Sequence, residues 1–150
     1  MLHPDFKDLL AVLVDEGVEY LVIGGYAVGF HAKPRFTKDI DLWVRDSAEN
    51  VRRLGVALSK FGVPETVLES ITAGSADEIA WFGIAPTRVD ILRRVDGGTF
   101  SVAYERRVQA SWDGVLVPIV GLDDLSALKR AAGREQDLRD VRALERGKRK

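Results

Sequence analysis

The stretch YLVIGGYAVGFHAKPRFTKDIDLWV, residues 20–44, decides how this chain folds. Tyr20 to Ile23 is a short apolar run broken by Gly24-Gly25, which reads as a strand ending in a tight turn. Ala27, Val28 and Phe30 then suit a short helix that stops before Pro34, because the residue preceding a proline is pushed out of helical backbone. Ile40 to Val44 reads as a second strand. Successive side chains of a strand point to opposite faces, so Asp39 and Asp41 share one face while Ile40 and Leu42 share the other. The apolar face joins a core, and the other carries two carboxylates about 7 Å apart along the strand. Trp43 lies on the acid face, where sheet packing is expected and stacking on a base is the alternative.

Outward from this stretch the periodicity is plain. Upstream, Pro4 suits a first helical turn, and Phe6, Leu9, Leu10 and Leu13 recur at helical spacing until Gly17 stops them. Downstream, Ser47 is placed to cap a helix with Val51, Leu54, Leu58 and Phe61 on one face and Gly62 as its stop. Residues 64–76 are irregular or weakly helical. Glu78 to Ile84 and Arg88 to Leu92 read as two strands of an antiparallel hairpin joined by Ala85-Pro86-Thr87. Asp113-Gly114 signals a second hairpin between Val108 to Trp112 and Val115 to Ile119. Asp123 and Asp137 are expected to open two closing helices that carry Leu125 and Leu128, then Leu138, Val141 and Leu144. With no repeat and no linker, the chain is expected to form one α+β (or α/β) domain over residues 1–150, a mixed, twisted sheet flanked by helices.

Composition narrows the function classes. The chain has 150 residues, 46% hydrophobic and 30% charged, enough to bury one sizeable core. Lys plus Arg number 22 against 23 for Asp plus Glu, a formal charge of −1, which argues against a generally basic nucleic-acid binder. A local basic patch remains open near the C-terminus, at Arg130, Arg134, Arg139, Arg142, Arg146 and Lys148-Arg149-Lys150. The absence of cysteine removes disulfides, thiol nucleophiles and cysteine-based zinc sites. Two histidines, His3 and His31, are too few for a His-rich metal site, and His31 reads as a helix-end cap. No signal peptide and no membrane-spanning apolar run are visible, so a cytoplasmic protein is expected.

Asp39-Ile40-Asp41 carries the chemistry. Like charges held together raise each other's pKa unless a cation intervenes, and hard oxygen donors of this kind suit Mg²⁺ or Mn²⁺. Two solvated acids at a strand end are the bland alternative. In Arg88-Val89-Asp90-Ile91-Leu92, Val89 and Ile91 can face the core while Asp90 points the other way with Arg88. If that strand lies beside the Asp39 strand, three carboxylates converge, as a two-metal phosphoryl-transfer site requires. A surface salt bridge between Arg88 and Asp90 is the alternative. Gly24-Gly25, between strand and helix, would let a phosphate approach backbone N–H donors. Neither a G-x-G-x-x-G nor a G-x-x-x-x-G-K-[ST] motif occurs, which weakens dinucleotide-binding and P-loop readings. Trp81 and Trp112 are assigned to packing.

Taken together, Leu21-Val22-Ile23-Gly24-Gly25-Tyr26-Ala27 followed by Arg35-Phe36-Thr37-Lys38-Asp39-Ile40-Asp41-Leu42 closely resembles the signature of the nucleotidyltransferase superfamily (DNA polymerase β-like). The nearest group is that of bacterial abortive-infection (AbiEii-type) toxins, with the minimal nucleotidyltransferases of toxin–antitoxin pairs more distant. The likeness extends over Arg88 to Leu92 and from Gly121 to Asp140, most of the chain. It implies the nucleotidyltransferase fold and transfer of a nucleoside monophosphate from an NTP to a hydroxyl of RNA, a protein or a small molecule, in a toxin–antitoxin setting. By the same resemblance Asp39 and Asp41 would ligate both metals, and Asp90 would hold the catalytic metal and help deprotonate the acceptor. Gly24 and Gly25 would cradle the outer phosphates, where the family often has Gly-Ser. Lys129 would contact the triphosphate, unless it is an ordinary solvated lysine, and Arg35 and Lys38 would hold phosphate or offset the acids.

Two rival readings stand beside this one. The first is a catalytically weak module of the same fold, acting as an antitoxin, sensor or binding partner, which the missing serine and small size favour. The second takes Asp-x-Asp as the metal motif of a glycosyltransferase, a class that needs a longer chain. One core domain should leave a side of the carboxylate face open. A second copy, a partner chain or a large acceptor such as RNA is expected to cover it.

Overall fold

The computed structural model describes residues 3–34, 36–84 and 86–148. Pro4 opens α1 (Pro4–Asp15), which buries Phe6, Leu9, Leu10 and Leu13 along the stripe its spacing dictates. The chain then enters β1 (Tyr20–Ile23), α2 (Gly24–His31) and β2 (Asp39–Val44). Ser47 caps α3 (Ala48–Phe61) by accepting a hydrogen bond from the Asn50 N–H, and Gly62 closes the helix. Asn50 is itself buried. Its amide oxygen accepts from the Glu19 N–H at 2.7 Å, and its nitrogen donates to the Glu19 and Arg45 carbonyls, both at 2.9 Å. One side chain of α3 thus satisfies the backbone where β1 begins and β2 ends.

After α4 (Glu65–Thr72) come β3 (Ala80–Phe82), β4 (Arg88–Leu92) and α5 (Phe100–Glu105), then the hairpin β5 (Val108–Trp112) and β6 (Val115–Ile119). The chain closes with α6 (Leu122–Ala132) and α7 (Glu135–Lys148). Seven helices and one six-stranded sheet of order β3-β4-β2-β1-β6-β5 make a mixed α+β fold among the described residues. β1 pairs antiparallel with β2 and parallel with β6, while β2 pairs parallel with β4. A parallel pair needs a long crossover, and α3 and α4 supply it. Buried side chains from Phe6 to Leu144 form one continuous hydrophobic cluster.

Several expectations are refined. Residues 65–72 are a true helix that buries Leu68 and Ile71. The first hairpin pairs through Ala80–Phe82, leaving Ile79 and Ile84 exposed at either end, because among the described residues no strand lies beyond β3 to cover them. Helix α5 had no signal in the sequence reading. Asp137 does not open α7 but sits in its first turn, its carboxylate reaching back to accept from the Arg134 N–H at 3.2 Å. Leu138, expected on the apolar face of α7, is exposed, while Val141 and Leu144 are buried. No helix of the described residues is long and apolar enough to cross a membrane.

Candidate metal centre

The site forms where three neighbouring strands end together. Ile23, the last residue of β1, stands opposite Asp41 of β2, and Asp41 stands opposite Asp90 of β4. Ile40, Leu42, Val89 and Ile91 are buried, so the alternation of each strand turns Asp39, Asp41 and Asp90 to the other face. One carboxylate oxygen from each lies within 4.8 Å of the others. The convergence that sequence could state only conditionally is therefore present. Arg88 does form the salt bridge weighed as the alternative, Nε to Asp90 Oδ1 at 2.9 Å, without drawing Asp90 out of the cluster.

The electrostatics of the cluster are unfavourable as it stands. Burial, then repulsion from Asp39 and interactions with Asp90, push the Asp41 carboxyl up to about 7. Asp39 is raised in the same direction by burial and by Asp90, with Arg88 opposing. Carboxyls in this state crowd protons between them until a cation replaces the protons. An octahedral Mg²⁺ with oxygen ligands at about 2.0–2.1 Å would place adjacent donors about 2.9 Å and opposite donors about 4.2 Å apart, so three carboxylate oxygens within 4.8 Å of one another would have to draw together to share one ion.

Gly24 completes the wall. Its φ is +69°, and a Cβ there would fall 2.1 Å from Asp41 Oδ2, so a side chain would displace the carboxylate. Helix α2 begins at this residue with no side chain capping its first turn, which leaves backbone N–H donors beside the acids. Gly24, Gly25, Lys38, Asp39, Asp41, Asp90 and Lys129 all line one cleft of about 810 Å³. Arg35 lies outside the described residues.

Lys129 is not a solvated lysine. It is 9% exposed, and its Nζ lies 3.3 Å from Asp137 Oδ1 and 3.1 Å from Asp140 Oδ2, so α6 and α7 are clamped together at the cleft wall. Burial alone would raise the Asp137 carboxyl, but Arg134 and Lys129 hold it below its usual range. Lys129 also lowers Asp41, though less than the other influences raise it.

The remaining expectations divide. Trp43 shares the acid face but is buried, edge-on to Phe100 at 5.4 Å and with Gly98 against its ring, so no base can stack on it. Trp112 packs against Tyr26. Trp81, assigned to packing, is instead 52% exposed, because it lies on the edge strand, with the Arg88 guanidinium over its ring. His31 bonds the Val120 carbonyl through Nε2 at 2.7 Å from the last residue of α2, a structural role. Four of the C-terminal cations are ion-paired: Arg130 with Glu145, Arg134 with Asp137, Arg139 with Glu135 and Lys148 with Asp123. Phe36, Ile79 and Arg134 line the cleft without having been read as site residues. For Ile79 the available signal was its two-residue spacing from Trp81 on a strand beside Asp90. No protein-family model matches this chain, and no curated protein matches it at a significant level.

Proposed function

We propose that this chain has the nucleotidyltransferase fold and is a magnesium-dependent nucleotidyltransferase. The observation that carries the reading is the meeting of Asp39, Asp41 and Asp90 within 4.8 Å, on two parallel strands beside Gly24. Three carboxylates, two of them with raised pKa, form the hard-oxygen donor set that Mg²⁺ or Mn²⁺ takes. Such ions, when bound, would neutralise phosphate charge and make an acceptor hydroxyl more acidic.

The chain's own groups have separable tasks. Asp39 and Asp41 would hold the ions at the start of β2. Gly24 and Gly25 would receive the outer phosphates of an NTP on the N–H donors of α2. Lys38, exposed at the cleft edge, would add positive charge there. Lys129, held by Asp137 and Asp140, would keep the cleft wall in place. Asp90, nearest the edge strand, would accept the proton of the attacking hydroxyl. The new bond joins that oxygen to the α-phosphorus, the bond from the α-phosphorus to the bridging oxygen breaks, and pyrophosphate leaves.

A second reading, a binding or antitoxin module of the same fold, draws on Gly25, which offers no hydroxyl to a phosphate. One experiment separates the two. The protein is incubated with each labelled NTP, Mg²⁺, total RNA and cell lysate, and its melting temperature is followed in parallel. Stabilisation by metal and NTP with transfer of label supports the enzyme. Stabilisation without transfer to any fraction supports the module. Equal melting shifts in the wild type and an Asp39→Asn, Asp41→Asn double variant refute the metal site.

A further inference from the structure

The acid face continues past Asp90 onto the edge of the sheet. Asp41, Asp90 and Trp81 stand abreast on β2, β4 and β3, so the indole rises from the same face as the carboxylates. The Arg88 guanidinium lies 4.6 Å from the Trp81 ring centroid while its Nε holds Asp90 Oδ1. A single side chain therefore links an exposed ring to a candidate metal ligand. Ile79, two residues away and 58% exposed, and Phe36, 78% exposed, line the cleft that holds the acids, as does Lys38. Scattered apolar residues on a surface need no explanation, but a group of them at the mouth of a charged cleft marks a contact site.

Direction assigns the contact. Gly24-Gly25 lies on the β1 side of the carboxylates and Trp81 on the β3 side. Phosphoryl transfer places the attacking and leaving oxygens in line, on opposite sides of the phosphorus. With the outer phosphates at α2, the attacking hydroxyl enters from the β3 edge. We propose that Trp81, braced by Arg88 and two residues from Ile79, is a stacking platform for the terminal base of a single-stranded nucleic-acid acceptor. The proposal rests on the nucleotidyl-transfer reading. A flat exposed ring with cations beside it complements a base and its phosphate, and base stacking accepts any sequence. With a formal charge of −1, and with Arg139 and Lys148 of α7 ion-paired, the chain provides no long phosphate track, so the footprint is confined to the last nucleotides of the strand.

The test uses the full chain with Mg²⁺ and no NTP. Fluorescein-labelled ribo- and deoxyribo-hexamers with a free 3′-hydroxyl are followed by anisotropy, and the two sugars show which nucleic acid is the acceptor. Wild-type protein should bind at least one, with affinity falling about tenfold or more in Trp81→Ala and recovering in Trp81→Phe. In the wild type the unlabelled hexamer should also quench tryptophan fluorescence, and Trp81→Phe should lack that quenching, a signal that does not depend on the alanine variant folding. NTP affinity, measured by thermal shift, should be equal in all three proteins. Unchanged hexamer affinity in Trp81→Ala overturns the proposal, as does loss of NTP affinity in its place. A wild type that binds NTP and labels a protein but no hexamer overturns the platform while leaving nucleotidyl transfer standing. Trp81-dependent hexamer binding without any metal or NTP effect keeps the ring as a nucleic-acid contact and overturns the enzyme reading.

Discussion

Asp41→Asn should make the metal-free protein more stable at pH 8, although it removes a residue of the proposed site. In the folded chain the Asp41 carboxyl titrates at about 7, against an ordinary value of 3.8. Because the folded value is the higher one, the contribution of Asp41 to stability is fully present below about pH 4. It declines as pH rises and is lost once pH passes about 7. At 1.36 kcal/mol per pH unit, that interval corresponds to about 4 kcal/mol. Sharing of protons with Asp39 and Asp90 reduces the effect of a single substitution, and about 2 kcal/mol is expected. Urea unfolding of both proteins in EDTA, at pH 4 and pH 8, measures it. The variant should gain little at pH 4 and about 2 kcal/mol at pH 8. Adding Mg²⁺ at pH 8 should then favour the wild type, by about 2.7 kcal/mol at a hundredfold excess over Kd, with little effect on the variant. A variant no more stable than wild type at pH 8 in EDTA would refute the idea that these carboxylates repel one another.

Other substitutions probe separate parts of the structure. Gly24→Ala must place a side chain at φ +69° and against Asp41 Oδ2. It should lose about 1–2 kcal/mol of stability and the Mg²⁺-dependent thermal shift together, and retention of a normal Mg²⁺ shift would contradict that placement. Lys129→Ala removes the cation shared by Asp137 and Asp140, which keep Arg134 and Gln136 as partners, so its urea midpoint should fall by the equivalent of about 1–3 kcal/mol, whereas a surface lysine would move it hardly at all. Asp90→Asn should lower kcat strongly while NTP binding survives, because the task given to Asp90 belongs to the transition state; equal losses in binding and rate would assign it to substrate binding. Ser47→Ala removes the α3 cap and should cost about 1 kcal/mol in thermal unfolding, with no change in the metal response.

Much of the fold was legible because its signals are local. The spacing of Phe6, Leu9, Leu10 and Leu13 needs only the helical repeat to be read, and Ser47 with Gly62 brackets α3 through hydrogen bonds made within a few residues. Alternation in Asp39 to Leu42 and in Arg88 to Leu92 assigned faces correctly for the same reason. Helix α5 escaped because six residues carry too little periodicity to stand out. Trp81 is exposed although a tryptophan is ordinarily packed, and only the strand order reveals that, among the described residues, no strand lies beyond β3. Lys129 was open between a solvated and a phosphate-binding lysine, since neither Asp137 nor Asp140 marks itself as its partner until α7 folds back on α6.

The sequence by itself determined most of the elements, the faces of β2 and β4 and the chemical type of the candidate ligands, since these depend on backbone propensity and on periods of two or 3.6 residues. Tertiary structure alone decided that β4 pairs with β2, so that Asp90 comes within 4.8 Å of Asp39 and Asp41. It also decided that Gly24 stands against Asp41, that Lys129 is clamped and that Trp81 remains open at the edge. Strand pairing across 49 positions, from Asp41 to Asp90, is set by how the crossover packs and which hydrogen-bond register buries Ile40, Leu42, Val89 and Ile91 together. That choice is made by the whole core at once, and the carboxylates are carried into proximity by the apolar residues between them.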